Sequence, residues 1–138
     1  MTHEDHDRIQ RWVSLPWPAR QVWSEIGGLT AIADWHPLIE SAELVDIEGA
    51  SHRHLRTIDG DLITERVIDT GPHHYTCEIV ESHLPVIDYR STLSCAVEDE
   101  GCRVFWGATF EPLDPQADEL ITGFFEAGLR GLRDMYGG

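Results

Sequence analysis

A chain of 138 residues is long enough to bury one domain's core, and 41% apolar residues with five tryptophans argue for a packed interior rather than disorder. Against 25 aspartates and glutamates stand only 10 basic residues, all of them arginine, for a formal charge of -15. A surface of that sign repels nucleic acid and anionic lipid headgroups, so neither is an expected partner, and it keeps a cytoplasmic protein soluble.

The first residues, Met1 to Asp7, are polar and acidic, with no apolar stretch of the kind that directs secretion, and residues 1–6 read as a disordered tail. No segment approaches the length of a membrane span, so no membrane insertion is expected. Ile9 to Leu15 reads as a strand closed by Pro16-Trp17-Pro18. Ala19 to Ile26 follows with helical spacing, Val22, Trp23 and Ile26 on one side and Gly27-Gly28 as the stop. A second short helix over Leu29 to Asp34 must finish near Trp35, because Pro37 disfavours helix at His36.

From Leu38 to Glu111 the period changes to two. Segments 40–48, 52–58, 62–69, 73–81, 88–98 and 102–111 read as strands, separated by breaks such as Glu48-Gly49-Ala50, Asp59-Gly60-Asp61 and Thr70-Gly71-Pro72. Val104, Trp106, Ala108 and Phe110 share one face; Tyr89, Leu93, Cys95 and Val97 share another, and both faces should be covered. The last element is a helix over Pro115 to Met135, with Asp114 as N-cap and a stripe of Leu120, Ile121, Phe124, Phe125, Gly128, Leu132 and Met135. Gly123, Gly128 and Gly131 weaken that helix; either they permit close packing or they leave volume for a ligand. The order strand, two short helices, six strands, long helix predicts an α+β fold: a seven-stranded antiparallel sheet with the last helix laid across it, in a single domain over 1–138.

The chemistry-bearing residues are fewer. Signatures of hydrolases, P-loop enzymes, dinucleotide-binding enzymes and zinc proteases are missing, and neither a cofactor nor a metal is implied. Cys77, Cys95 and Cys102 have no metal-ligand spacing and read as buried thiols. His52 and His54 share a strand face beside Arg56, where they read as solvent-facing; His73-His74 reads as exposed, and His3 and His6 lie in the tail. Glu65 and Glu81 interrupt apolar strands. A carboxylate facing a dry cavity serves as acid, base or hydrogen-bond acceptor. The other reading pairs Glu65 with Arg66, Arg56 or Arg90; periodicity leaves the face of the 62–69 strand open, since both parities carry apolar residues. Trp35, Tyr75, Tyr89, Trp106, Phe110 and Phe124 would line a cavity or fill a core.

The runs Pro18 to Ile26 and Asp34-Trp35-His36-Pro37, followed by Thr64-Glu65-Arg66, Tyr75, Leu84-Pro85-Val86, Asp88-Tyr89, Val104-Phe105-Trp106 and Phe110-Glu111-Pro112, together resemble the START/Bet v 1-like (SRPBCC) superfamily and, within it, the bacterial polyketide cyclase/dehydrase-like group. The resemblance implies a helix-grip fold, with the sheet wrapped around the C-terminal helix and a cavity between them for lipids, polyketides or other apolar molecules. It extends distantly to the plant abscisic-acid receptors, which places Asp59 to Leu62 at a gate loop, Ser82 to Val86 at a latch loop and Glu65 at a ligand-facing glutamate. Glu40 stands where those receptors carry a lysine for the hormone's carboxylate, and the gate loop lacks their Ser-Gly-Leu-Pro-Ala sequence. The expected guest is therefore uncharged or cationic.

Three functions are compatible with these residues. The first is a monomeric or homodimeric binding protein for a small hydrophobic molecule, with Trp35, Tyr75, Leu84, Tyr89, Trp106, Phe110, Phe124 and Gly128 around the guest, Glu65 orienting its polar group, and loops 59–62 and 82–87 closing the entrance. The second is a polyketide cyclase or dehydratase in the same cavity, with Glu65 or Glu81 as general base and Tyr89 or His36 donating to an enolate oxygen. The third is an interaction module whose loop closure exposes a surface to another protein.

Overall fold

A computed structural model describes residues 7–137 of the chain; the tail expected over residues 1–6 lies outside them. The elements run β1 (Ile9–Leu15), α1 (Ala19–Ile26), α2 (Ile32–Trp35), β2 (Ile39–Ile47), β3 (Ala50–Thr57), β4 (Leu62–Gly71), β5 (His74–Glu81), β6 (Val86–Glu98), β7 (Gly101–Pro112) and α3 (Ala117–Tyr136). The strands form one antiparallel sheet in the order β1-β7-β6-β5-β4-β3-β2. The first strand pairs with the last, and α1 and α2 carry the chain from that edge to the other. From β2 to β7 every strand pairs with its successor. This is the α+β helix-grip arrangement, with α3 held against the concave face.

Local chemistry accounts for the joints. At Glu48-Gly49 the register passes from Ile47↔Ala50 through two residues of positive φ, 53° and 86°, and the Asp46 carboxylate accepts the Gly49 N–H at 2.9 Å. In β6 the register slips between Ile87 and Arg90, where Asp88 takes a φ of 55°. The extra residue turns both Val86 and Tyr89 inward, although their parities differ. Helix α2 starts later than its spacing suggests, after a turn through Leu29–Ala31, and ends at Trp35 because His36, before Pro37, is extended. Helix α3 likewise begins at Ala117 rather than Pro115. The Asp114 carboxylate caps the preceding turn, accepting the Gln116 N–H at 2.7 Å, while Asp118 and Glu119 sit in the first helical turn and favour its positive end.

The core lies between α3 and the β1–β7 side of the sheet. Phe125 stacks on Trp106 at 4.3 Å, Trp106 meets Trp35 edge-on at 5.5 Å, and Val13, Val104, Ile121 and Leu132 close around them. Two expected faces need correction. Val97 is 77% exposed, because β6 runs on past Cys95, whose thiol lies under the Ala19 carbonyl of α1. In α3, Leu120 and Met135 are half exposed, whereas Leu129 is buried. Among the described residues no helix is long and apolar enough to cross a membrane.

Candidate functional site

Because α3 packs on β1 and β7 and not squarely on the middle of the sheet, the first turns of the helix stand off from β3–β6. The gap is a cavity of about 330 Å³. Its walls are apolar and mostly aliphatic: Leu38, Leu55 and Ile63 on one side, Ile79 and Leu84 on another, and Leu120 and Phe124 from α3. Gly123 contributes an open position, since a Cβ there would meet no atom within 4 Å. Three polar residues of the sheet line it: Glu65, Tyr89 and, at the end of β3, Thr57.

Glu65 is buried and paired, but not with the arginines expected. Arg66 and Arg90 reach Glu78 on the outer face, and Arg56 donates to the Gly60 carbonyl. The partner is Arg53, directly opposite Glu65 in the β3/β4 register and only 2% exposed. Its Nε and Nη2 reach Glu65 Oε1 at 2.8 and 2.7 Å, while Nη1 donates to the Leu29 carbonyl at 2.8 Å and the Tyr75 hydroxyl at 3.0 Å. Burial works against the guanidinium charge, but the Glu65 carboxylate and the Tyr75 oxygen more than offset it, so Arg53 is held charged. Both of these contacts fall on Oε1. Arg53 escaped the sequence reading because it stands between two histidines. Its parity with inward-facing Leu55 was the available signal.

Tyr89 is buried beside this pair. Burial, reinforced by the Glu65 charge, raises its hydroxyl above the ordinary tyrosine value, so it stays protonated and hydrogen-bonded to the Ser91 side chain. Burial likewise pushes the Cys77 thiol up to about 12, which makes it inert as a nucleophile.

His36 belongs to a different place. Its ring stacks on Phe124 at 4.2 Å, on the side away from the cavity, with Nε2 donating to the Phe124 carbonyl at 2.8 Å and Nδ1 accepting the Leu38 N–H at 3.1 Å. Both nitrogens are occupied in the neutral tautomer, which leaves no proton for a substrate. Burial lowers its pKa to about 4, against 6.5 unperturbed. The unfolded chain therefore takes up this proton more readily, so the stabilisation is complete above pH 6.5 and is lost as pH falls toward 4. Urea unfolding at pH 7 and pH 5 should show a loss of about 2 kcal/mol that is absent in His36→Gln.

The mouth is polar. Asp59 and Asp61 come from the β3–β4 turn, His83 from the β5–β6 loop and Glu119 from α3. His83 Nε2 lies 3.2 Å from Asp61 Oδ2, which joins the two loops. Two exposed apolar residues, Ile58 and Leu120, form a lip.

Of the residues expected around a guest, Glu65, Leu84, Tyr89 and Phe124 line the cavity. Trp35, Tyr75, Trp106, Phe110 and Gly128 do not; they are buried in the core beside it. Gly128 is close-packed, since a Cβ would lie 2.6 Å from the His36 ring and 2.8 Å from Trp106. Glu81 is exposed at the end of β5 and does not line the cavity, nor does Glu40, which is exposed on β2. His52, expected to face solvent, is buried with Nδ1 donating to the Ala50 carbonyl, and His73 and His74 are half-buried. Among the described residues no group of three His, Cys, Asp or Glu side chains is placed to hold a metal ion.

Over residues 6–136 the sequence matches the family described as polyketide cyclase/dehydrase and lipid transport. The chain belongs to that family. An uncharacterized Bacillus thuringiensis protein shares 31% identity with it and superposes with a TM-score of 0.86, covering 94% of this chain and 98% of its own. The XoxI protein of Bacillus cereus, also 31% identical, gives 0.85 over 93% and 94%. At 18% identity, the Zhui aromatase/cyclase of a Streptomyces species shares the fold, with a TM-score of 0.70 over 96% and 94%. No curated protein matches the sequence. Membership of the polyketide cyclase/dehydrase and lipid transport family places this chain in the SRPBCC group that its motifs resemble.

Proposed function

We propose that the protein binds a small, largely apolar molecule in the cavity between β3–β6 and the start of α3. The observation that carries this reading is the cavity itself: about 330 Å³ of space walled by leucine, isoleucine and phenylalanine, with a single anchored carboxylate inside. That space lies next to a densely packed aromatic core. The family description, which couples cyclases with lipid transport, agrees with it. In native mass spectrometry, protein purified without organic solvent should carry an adduct of one apolar molecule that solvent extraction removes and that can be added back. Protein that neither carries nor accepts such a molecule would count against the reading.

A cyclase or dehydratase is the second reading, favoured by Glu65 and Tyr89 sharing the cavity. Glu65 Oε2 would take a proton from an activated methylene, and the Tyr89 hydroxyl would donate to the enolate oxygen that forms. Turnover of a poly-β-keto substrate that disappears in Glu65→Gln, with the fold retained, is the result that would place this reading first.

A further inference from the structure

The charge around the cavity narrows the guest further, given that the cavity binds one. Inside, Glu65 is the only charged lining group among the described residues, and Arg53 neutralises it. Four of the five guanidinium donors of Arg53 are directed at Glu65, Leu29 and Tyr75, and Arg53 does not line the cavity. Among the described residues, a guest's carboxylate or phosphate would thus find no free cation inside.

The mouth is more selective still. Its charged lining groups are Asp59, Asp61 and Glu119 against the single imidazole of His83, which Asp61 already holds. Among the described residues, the side chains of Asp59 and Glu119 have neither an ion-pair nor a hydrogen-bond partner. Arg56, the nearest arginine in sequence, has the opposite strand parity to Arg53, is exposed and reaches the Gly60 carbonyl. Ile58 and Leu120 stand exposed beside these carboxylates, as a lip for an apolar body continuing outward. An aliphatic interior, an apolar lip and an acidic rim complement one kind of molecule, apolar along its length and positive at one end. The formal charge of -15 adds attraction for such a cation at longer range.

We propose that the guest is an apolar molecule bearing a protonated amine, its apolar body in the cavity and its ammonium group at the mouth beside Asp59, Asp61 and Glu119. The proposal rests on the binding reading above and specifies its ligand class. It also replaces the basis on which the sequence points to an uncharged or cationic guest: Glu40 is outside the cavity and Glu65 is compensated, so the selectivity comes from the rim.

Octylamine, octanol and octanoate, matched in chain length, separate the possibilities when titrated by calorimetry at neutral pH and low salt. Octylamine should bind about tenfold more tightly than octanol, with octanoate weakest, since partly exposed charges at contact distance contribute of that order. Added salt should shrink the preference. In the double variant Asp59→Asn/Glu119→Gln the ratio of amine to alcohol affinity should fall to near one, and circular dichroism confirms that the fold is kept. Octanol binding as tightly as octylamine, octanoate binding tightest, or a ratio that survives in the double variant would each overturn the proposal while leaving a binding cavity. Failure of all three compounds to bind would instead remove the binding reading itself.

Discussion

Arg53→Met should lower the free energy of unfolding by about 3–5 kcal/mol, because it leaves the buried Glu65 carboxylate without its counter-charge. The pair lies under the cavity at 2.7–2.8 Å, and the side chains are 2% and 6% exposed. Arg53 also ties the sheet to the turn before α2 through the Leu29 carbonyl and holds the Tyr75 hydroxyl. The double variant Arg53→Met/Glu65→Leu should recover most of the loss, since neither charge then needs a partner. Urea unfolding of the four proteins measures both quantities. A single variant within about 1 kcal/mol of wild type, or a double variant no better than the single, would show that the pair does not stabilise the fold in this way.

Gly131→Ala should be destabilising by about 2–3 kcal/mol even though alanine is the better helix former. Its Cβ would lie 2.2 Å from the Trp35 carbonyl oxygen and 3.0 Å from the Pro37 ring. The first of these is backbone, so α3 must move away from the α2–β2 corner to relieve the contact. The same substitution at Gly123, eight residues earlier in α3, meets nothing within 4 Å and should stabilise by up to about 1 kcal/mol through helix propensity alone. Thermal unfolding of the two variants gives opposite signs if the helix is seated as described, and equal shifts if it is not.

These two glycines show where sequence stops being informative. The stripe of α3 and the three glycines in it are visible from spacing, but which glycine touches backbone and which opens on a cavity depends on what lies opposite. The order of the elements and some of their ends are legible: β1 and α1 span the residues that their spacing predicts, and Pro37 ends α2 where expected, whereas α2 and α3 start later than their spacing suggests. The face of β4 was not legible, since both of its parities carry apolar residues. It is decided across the sheet, where Arg53 stands opposite Glu65 and Leu55 opposite Ile63.

Large aromatics misled for a related reason. Trp35, Trp106 and Phe125 interlock at ring separations of 4.3–5.5 Å and fill the space beneath the middle of α3. The cavity is left where the smaller aliphatic side chains of β3–β5 do not bridge the distance to the helix. Phe124 borders both regions, held against His36 on one face and lining the cavity. Side-chain size marks a hydrophobic interior in the sequence; only the curvature of the sheet says which part of that interior stays open.

Filling the cavity from Gly123 tests most directly whether it holds an apolar guest. A neutral, naphthalene-sized fluorescent dye titrated into wild-type protein and Gly123→Phe is the measurement. Wild type should bind one equivalent saturably, and the variant, with its ring in the space now open above Gly123, should bind at least about tenfold more weakly at an unfolding temperature no lower than that of wild type. Equal binding by the two proteins, or none by the wild type, would contradict the account.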